Sequence, residues 1–170
     1  SHSACCRNNI LVSTIANASS SNSYFSATMN PGVSPRNNSP VFLNRPVAYL
    51  CANQPAVISP NASDPDGDAL VYSLTSCRSA AATNLTYQPG FNFGSPLSSS
   101  SGLTLNPTTG ELSFTPTSVN QVAVVCVKVE DFRNGTKIGE IIRDIQIRVL
   151  NCANTPPVIN AINNVVVPVG

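Results

Sequence analysis

Three carboxylates fall within five residues in Asp64-Pro65-Asp66-Gly67-Asp68, directly ahead of an apolar run from Ala69 to Leu74. Like charges so close repel unless a cation sits among them. Side chains at alternate positions of a turn converge, and hard carboxylate oxygens are the donors that Ca²⁺ prefers, so the spacing reads as a calcium-binding loop. The competing reading is a solvated acidic turn, because Asp, Pro and Gly are ordinary turn residues. Acids are scarce here, with Asp and Glu together numbering 8 in 170 residues, so three in one loop favour the metal.

Six cysteines form the second candidate set: Cys5, Cys6, Cys51, Cys77, Cys126 and Cys152. None stands in a C-x-x-C pair, and the only histidine, His2, lies in Ser1-His2-Ser3, which reads as the remnant of an expression tag. Zinc and dithiol redox chemistry therefore lose support. An even count in a polar, weakly charged chain points to disulfides and an extracellular compartment. Five Asn-x-Ser/Thr sequons, at Asn17, Asn37, Asn61, Asn84 and Asn134, are acceptors only in a eukaryotic secretory route, and the composition explains most of them.

Aromatic residues offer a third chemistry. In Tyr87-Gln88-Pro89-Gly90-Phe91-Asn92-Phe93 a Pro/Gly loop presents Tyr87, Phe91 and Phe93, which could stack on a sugar, although aromatics in alternating strands more often fill a core. No serine or threonine has a recognisable base or Gly-rich elbow around it. Paired acids can hydrolyse glycosides, but three acids in one tight loop suit ligation better than two across a cleft. No enzyme is expected.

A net charge of +1 and 10% charged residues leave no basic face for nucleic acid. No run of about 18 apolar residues could cross a bilayer, so no membrane insertion is expected. With 14 prolines and short apolar runs broken by turn signals, the chain reads as an all-β sandwich. Strands are expected at 10–15, 24–29, 47–51, 56–59, 70–74, 103–105, 112–114, 122–129 and 138–150, with a Ser-rich loop at 95–102.

The two longest strands flank Asn134-Gly135, a strong hairpin signal. Ala123, Val125, Val127 and Val129 share one face, as do Ile141, Ile145, Ile147 and Val149, so paired residue numbers must sum to an even value. A two-residue turn would pair Arg133 with Thr136, an odd sum, and a one-residue bulge is expected instead. In that register Cys126 faces Asp144 or Ile142, and Cys152 lies about 26 Å further along at about 3.3 Å per residue. A disulfide needs Cα atoms within about 7 Å, which excludes Cys126 with Cys152. Cys51 and Cys77 flank a second expected hairpin around the acidic loop and form the favoured pair, leaving Cys126 and Cys152 to Cys5 and Cys6.

Val122, Val124 and Cys126 make the long strand apolar on its second face as well. The N-terminal segment, 1–45, is too short for its own core and is expected to dock there, on a main module spanning 46–153. Residues 154–170, with Thr155-Pro156-Pro157 and Val165-Val166-Val167, read either as a stiff linker entering a following module or as a tail that adds to a sheet edge.

Ser63-Asp64-Pro65-Asp66-Gly67-Asp68-Ala69-Leu70-Val71-Tyr72-Ser73-Leu74 and Gly102-Leu103-Thr104-Leu105-Asn106-Pro107-Thr108-Thr109-Gly110-Glu111-Leu112-Ser113-Phe114 resemble the cadherin-like and immunoglobulin-like modules of bacterial surface proteins. Cys5-Cys6-Arg7-Asn8-Asn9, Asn38-Ser39-Pro40-Val41-Phe42 and Val47-Ala48-Tyr49-Leu50-Cys51 narrow the resemblance to large secreted adhesin or gliding-associated proteins of the Bacteroidetes. The resemblance implies a non-catalytic Greek-key sandwich in tandem arrays on a cell surface, with Ca²⁺ stiffening its loops. It places Asp64, Asp66 and Asp68 in the metal loop and draws a further carboxylate from the strand end, Asp131 first by its inward parity and Glu130 second. The acidic linker of cadherins is replaced by Asn151-Cys152-Ala153-Asn154, so one ion site is implied rather than a junction cluster. The expected partners are neighbouring modules and a surface glycan or protein ligand, with a carbohydrate-binding module as the alternative function.

Overall fold

The computed structural model describes residues 1–4, 13–34 and 36–152. The fold is all-β, with no α-helix among the described residues and a single 3₁₀ turn at Ala18–Ser20. In chain order the strands are β1 (His2–Ala4), β2 (Ser23–Met29), β3 (Val41–Phe42), β4 (Val47–Cys51), β5 (Ala56–Ile58), β6 (Ala62–Ser63) and β7 (Ala69–Thr75). They continue as β8 (Arg78–Ala80), β9 (Thr83–Asn84), β10 (Thr104–Leu105), β11 (Leu112–Phe114), β12 (Val122–Arg133) and β13 (Thr136–Leu150). The main sheet runs β1-β2-β13-β12-β7, and β4 pairs in parallel with the far end of β13. A smaller sheet, β10-β11-β5, lies across the core from it, as in a β-sandwich.

The long hairpin of β12 and β13 is the centre of this arrangement. Valines and isoleucines favour extended backbone, and Asn134 (φ 53°) with Gly135 (φ 76°) supplies the left-handed pair that a tight two-residue turn requires. Both devices weighed against each other in the sequence are present. The turn pairs Arg133 with Thr136, and a register shift between Asp131 and Phe132 then restores the even sums, as in Asp131 opposite Gly139 and Val129 opposite Ile141. The extra residue is Ile138 on β13, and it is buried.

Ala123, Val125, Val127 and Val129 meet Ile141, Ile145, Ile147 and Val149 on the inner face, closed by Leu112 and Phe114 of β11. Each of these valine, isoleucine, leucine and phenylalanine side chains contributes about 1.5–3 kcal/mol by leaving water. On the outer face, Val124 and Cys126 are covered by Ile15, Ala18, Leu85 and Tyr87. Residues 13–20 are held there by Thr14 N–H donating to Val122 C=O (2.9 Å) and Ala16 N–H to Thr86 C=O (2.9 Å). The N-terminal portion also enters the main sheet, since β2 pairs with β13. Of the stretch read as a tag remnant, His2 and Ser3 lie in β1, opposite Phe25 and Tyr24.

The expected cysteine pairing is corrected. Cys51 bonds to Cys152 (Cα–Cα 5.4 Å) and Cys77 to Cys126 (Cα–Cα 5.2 Å). The reason is topological. β4 and β7 do not form a hairpin: β4 lies along β13 with Cys51 opposite Leu150, two residues from Cys152, whereas β7 lies along β12 with Thr75 opposite Cys126, two residues from Cys77. Cys126 faces Asp144, and it is not joined to Cys152. Cys5, Cys6 and the expected linker at 154–170 lie outside the described residues, as does the first half of the strand expected at 10–15, in whose second half Ser13 and Ile15 make isolated bridges.

Candidate functional site

The acidic loop joins β6 to β7. Gly67, at φ 78°, takes the left-handed turn that a side chain would resist. Asp64 organises the loop, its Oδ1 accepting from the N–H groups of Asp66 (2.8 Å) and Asp68 (3.2 Å). The alternation of turn positions brings ligand oxygens of Asp64, Asp66 and Asp68 within 4.8 Å of one another. Sequence reading therefore placed these three correctly as a convergent group.

A cation is already among them, supplied by the chain. Arg133, at the mouth of the hairpin, donates from Nε (2.8 Å) and Nη2 (2.6 Å) to the two oxygens of Asp68, whose side chain is only 5% exposed. Its Nη2 lies 3.5 Å from Asp66 Oδ2. This fork-on-carboxylate geometry is the strong form of the charge-assisted hydrogen bond, and it raises the Arg133 pKa above its ordinary value. The same guanidinium donates to Ser34 Oγ (2.9 Å), to the Arg36 carbonyl (3.1 Å) and to Asn37 Oδ1 (3.2 Å). Asp66 in turn accepts from the Asn38 N–H (2.6 Å) and from Asn38 Nδ2 (2.9 Å), which holds its carboxyl below the usual carboxylate range. The acidic loop and Arg133 thus clamp a strap, Ser34 with Arg36, Asn37 and Asn38, across this end of the sandwich.

Asp131 is fully buried, and its Oδ2 accepts from Asn37 Nδ2 at 2.6 Å. Among the described residues it is linked to the loop through Asn37 and Arg133, and it is not one of the three convergent carboxylates. Among the described residues its Oδ1 has no hydrogen-bond partner, and neither does the buried Oδ2 of Asp64. Gly139 makes room for it, since a Cβ there would lie 2.7 Å from Asp131 Oδ1. Glu130, by strand alternation, points to the opposite face, where it pairs with Lys128 (3.1 Å) and Lys137. Burial opposes its ionisation, but the two lysines prevail and lower its pKa. Glu130 is therefore engaged away from the loop.

The aromatic group is divided. Tyr87 packs on the outer core and its hydroxyl is buried, Phe91 is half-buried, and Phe93 is 45% exposed. Asn92 Oδ1 shapes this loop by accepting from the Gly94 and Ser95 N–H groups. The three do not form a common stacking platform, because Tyr87 is spent on packing.

Arg133, Asn37, Asn38 and Ser34 escaped the sequence reading. The signal for Arg133 was the strand register. Phe132 lies opposite Ala69, so the next residue outward on each strand is Arg133 on one side and Asp68 on the other. Comparison with protein-family models and with curated proteins returns no match, so the functional reading rests on this geometry.

Proposed function

We propose that the chain is a non-enzymatic structural or adhesive module of an extracellular surface protein, with Ca²⁺ at the acidic loop and two disulfides making it rigid. The observation that carries this reading is the convergence of three aspartates with a buried Oδ2 on Asp64 that has no partner among the described residues. Ca²⁺ binds oxygens at about 2.3–2.6 Å, so ligands on opposite sides of one ion lie about 5 Å apart. Ligand oxygens that all lie within 4.8 Å of one another are close enough to share one ion. Asp64, Asp66 and Asp68 would hold it, and Asp131 Oδ1 is the other buried carboxylate oxygen in need of a partner. Glu130 does not belong to the set. The ion would neutralise the crowded carboxylates, and Arg133 is its intramolecular competitor.

Two disulfides favour an oxidising compartment, and no described helix is long and apolar enough to cross a membrane. Greek-key strand order, Bacteroidetes-type surface proteins and tandem neighbours are the finer parts of the proposal, supported by the sequence resemblance. The carbohydrate-binding alternative rests on Phe91 and Phe93 alone and is the weaker reading.

Thermal melting in CaCl₂ and in EGTA tests the metal. At 100 times the dissociation constant, bound Ca²⁺ stabilises by about 2.7 kcal/mol, which raises Tm by about 5–11 °C for a domain of this size. Asp64→Asn should remove most of that rise. Equal melting of the unmodified chain in CaCl₂ and EGTA would discard the calcium part of the proposal.

A further inference from the structure

The tip of the long hairpin carries a reactive pair. Asn134 is the one asparagine in the sequence with glycine after it. Its amide carbon and the backbone nitrogen of Gly135 can close a five-membered ring, and because they belong to adjacent residues the reaction is intramolecular. A side chain on the following residue hinders that closure, and glycine has none. The fold leaves the pair accessible. Both residues are exposed, and around the position that a Cβ on Gly135 would occupy there is nothing within 4 Å. Among the described residues no backbone acceptor holds the Gly135 N–H, and no hydrogen bond holds the Asn134 amide. Other asparagines are tied down: Asn37 Nδ2 donates to Asp131, Asn38 Nδ2 to Asp66 and Asn44 Nδ2 to the Ser59 carbonyl, while Asn92 and Asn106 accept from N–H groups of their own turns.

We propose that Asn134 is a self-modification site: it forms a succinimide with Gly135, and hydrolysis of that ring yields isoaspartate, which loosens the grip of Arg133 on the strap. In the first step the Gly135 nitrogen bonds to Asn134 Cγ, the Cγ–Nδ2 bond breaks, and the proton of the Gly135 nitrogen leaves with the amide nitrogen as ammonia. In the second, water adds to one of the two ring carbonyls, the bond from that carbon to the Gly135 nitrogen breaks, and the nitrogen takes a proton back. Opening at Cγ gives aspartate. Opening at the backbone carbonyl gives isoaspartate, whose main chain runs through Cβ. The net change is amide plus water to carboxylate plus ammonium, which needs no oxidant and no cofactor.

The two products differ in what the turn can bear. Aspartate followed by glycine is itself a favoured pair for a two-residue hairpin turn, so the aspartate product keeps the fold. Isoaspartate adds one atom to the main chain between Arg133 and Thr136, which stand directly opposite one another, and a two-residue turn fixes the register too tightly to absorb it. Arg133 is the first residue to feel the change. Its backbone adjoins the modified residue, and its guanidinium carries the bonds to Asp68, Ser34, the Arg36 carbonyl and Asn37. The core is insulated, because its register is set beyond the bulge, from Asp131 opposite Gly139 onward.

The test ages the whole chain in mildly alkaline buffer containing EGTA, so that no metal at the acidic loop takes part. Peptide mapping with isoaspartyl methyltransferase labelling should find isoaspartate accumulating at position 134 at least about tenfold faster than at Asn22 and Asn38, which precede serine. In the purified aged form the Arg133 Nε–H, bonded to Asp68 in the fresh chain, should exchange with solvent at least about tenfold faster. Asn134→Asp should match the fresh chain. Asn134→Gly, which keeps a favoured turn and removes the amide, should show neither modification nor faster exchange on ageing; should it fail to fold, the fresh and aged unmodified chains decide between them. Isoaspartate no faster at position 134 than at Asn22 and Asn38 overturns the site. Isoaspartate there with unchanged Arg133 exchange, or equally fast exchange in Asn134→Asp, overturns the loosening of the clamp by the lengthened main chain.

Discussion

Replacing both members of Cys51–Cys152 by serine removes a cross-link that closes a loop of 101 residues. The chain-entropy relation for a loop of that length gives about 4.7 kcal/mol of stabilisation, acting by restricting the unfolded chain. The inner link, Cys77–Cys126, separated by 49 residues, gives about 4.1 kcal/mol by the same relation. The two sites differ in burial. Cys51 and Cys152 are partly exposed, so serine adds little packing loss there, whereas Cys77 and Cys126 are 0% and 1% exposed. The outer double substitution should therefore lower Tm by about 10–20 °C and, in urea, raise the m-value because the unfolded chain expands. Replacement of the inner pair by alanine should cost at least as much, despite its shorter loop, because it also opens the outer core. Urea unfolding followed by tyrosine fluorescence, with peptide mass mapping of the intact chain, measures both. A loss below about 1 kcal/mol for the outer pair, or a mapped Cys51–Cys77 peptide, would refute the entropy argument or the connectivity beneath it.

Gly139→Ala should destabilise by about 1–3 kcal/mol, the usual cost of overpacking, because its Cβ would meet Asp131 Oδ1 at 2.7 Å and the Thr28 carbonyl at 3.0 Å; thermal melting reads the loss, and an unchanged Tm would mean that Asp131 is free to move. Acid should release the strap. The Asp66 pKa is lowered in the fold, so its contribution is whole above the ordinary value of 3.8 and disappears as pH falls below it through the folded pKa. Hydrogen exchange at the Asn38 amide should accelerate in that window, and Asp66→Asn should abolish the pH dependence.

Much of the fold was legible because its largest elements have strong local signals. Alternating valines and isoleucines fixed the inner face of β12 and β13, and Asn134-Gly135 fixed the turn between them. What could not be read was partner choice among short strands. β4 is five residues long and carries no mark that it runs parallel to β13 rather than back toward β7, and that one choice reversed the cysteine pairing. At the site, crowding of Asp64, Asp66 and Asp68 correctly announced a need for positive charge. Which cation meets it depends on tertiary register, since Arg133 lies 65 residues from Asp68. Strand parity likewise put Asp131 inside and Glu130 outside, but parity does not tell how far an inward carboxylate lies from a loop.

The outer disulfide decides how the molecule would respond to tension. A pull transmitted between the segment before Cys51 and the segment at Cys152 runs through the sulfur bridge, and the stretch between them in sequence, which carries β5 to β13, remains slack. β2 and the strap lie outside that bypass. They would peel away first, resisted by the pairing of β2 with β13 and by the grip of Arg133 on Ser34, Arg36 and Asn37, so the chain would lengthen by a short, recoverable step while its core stays folded.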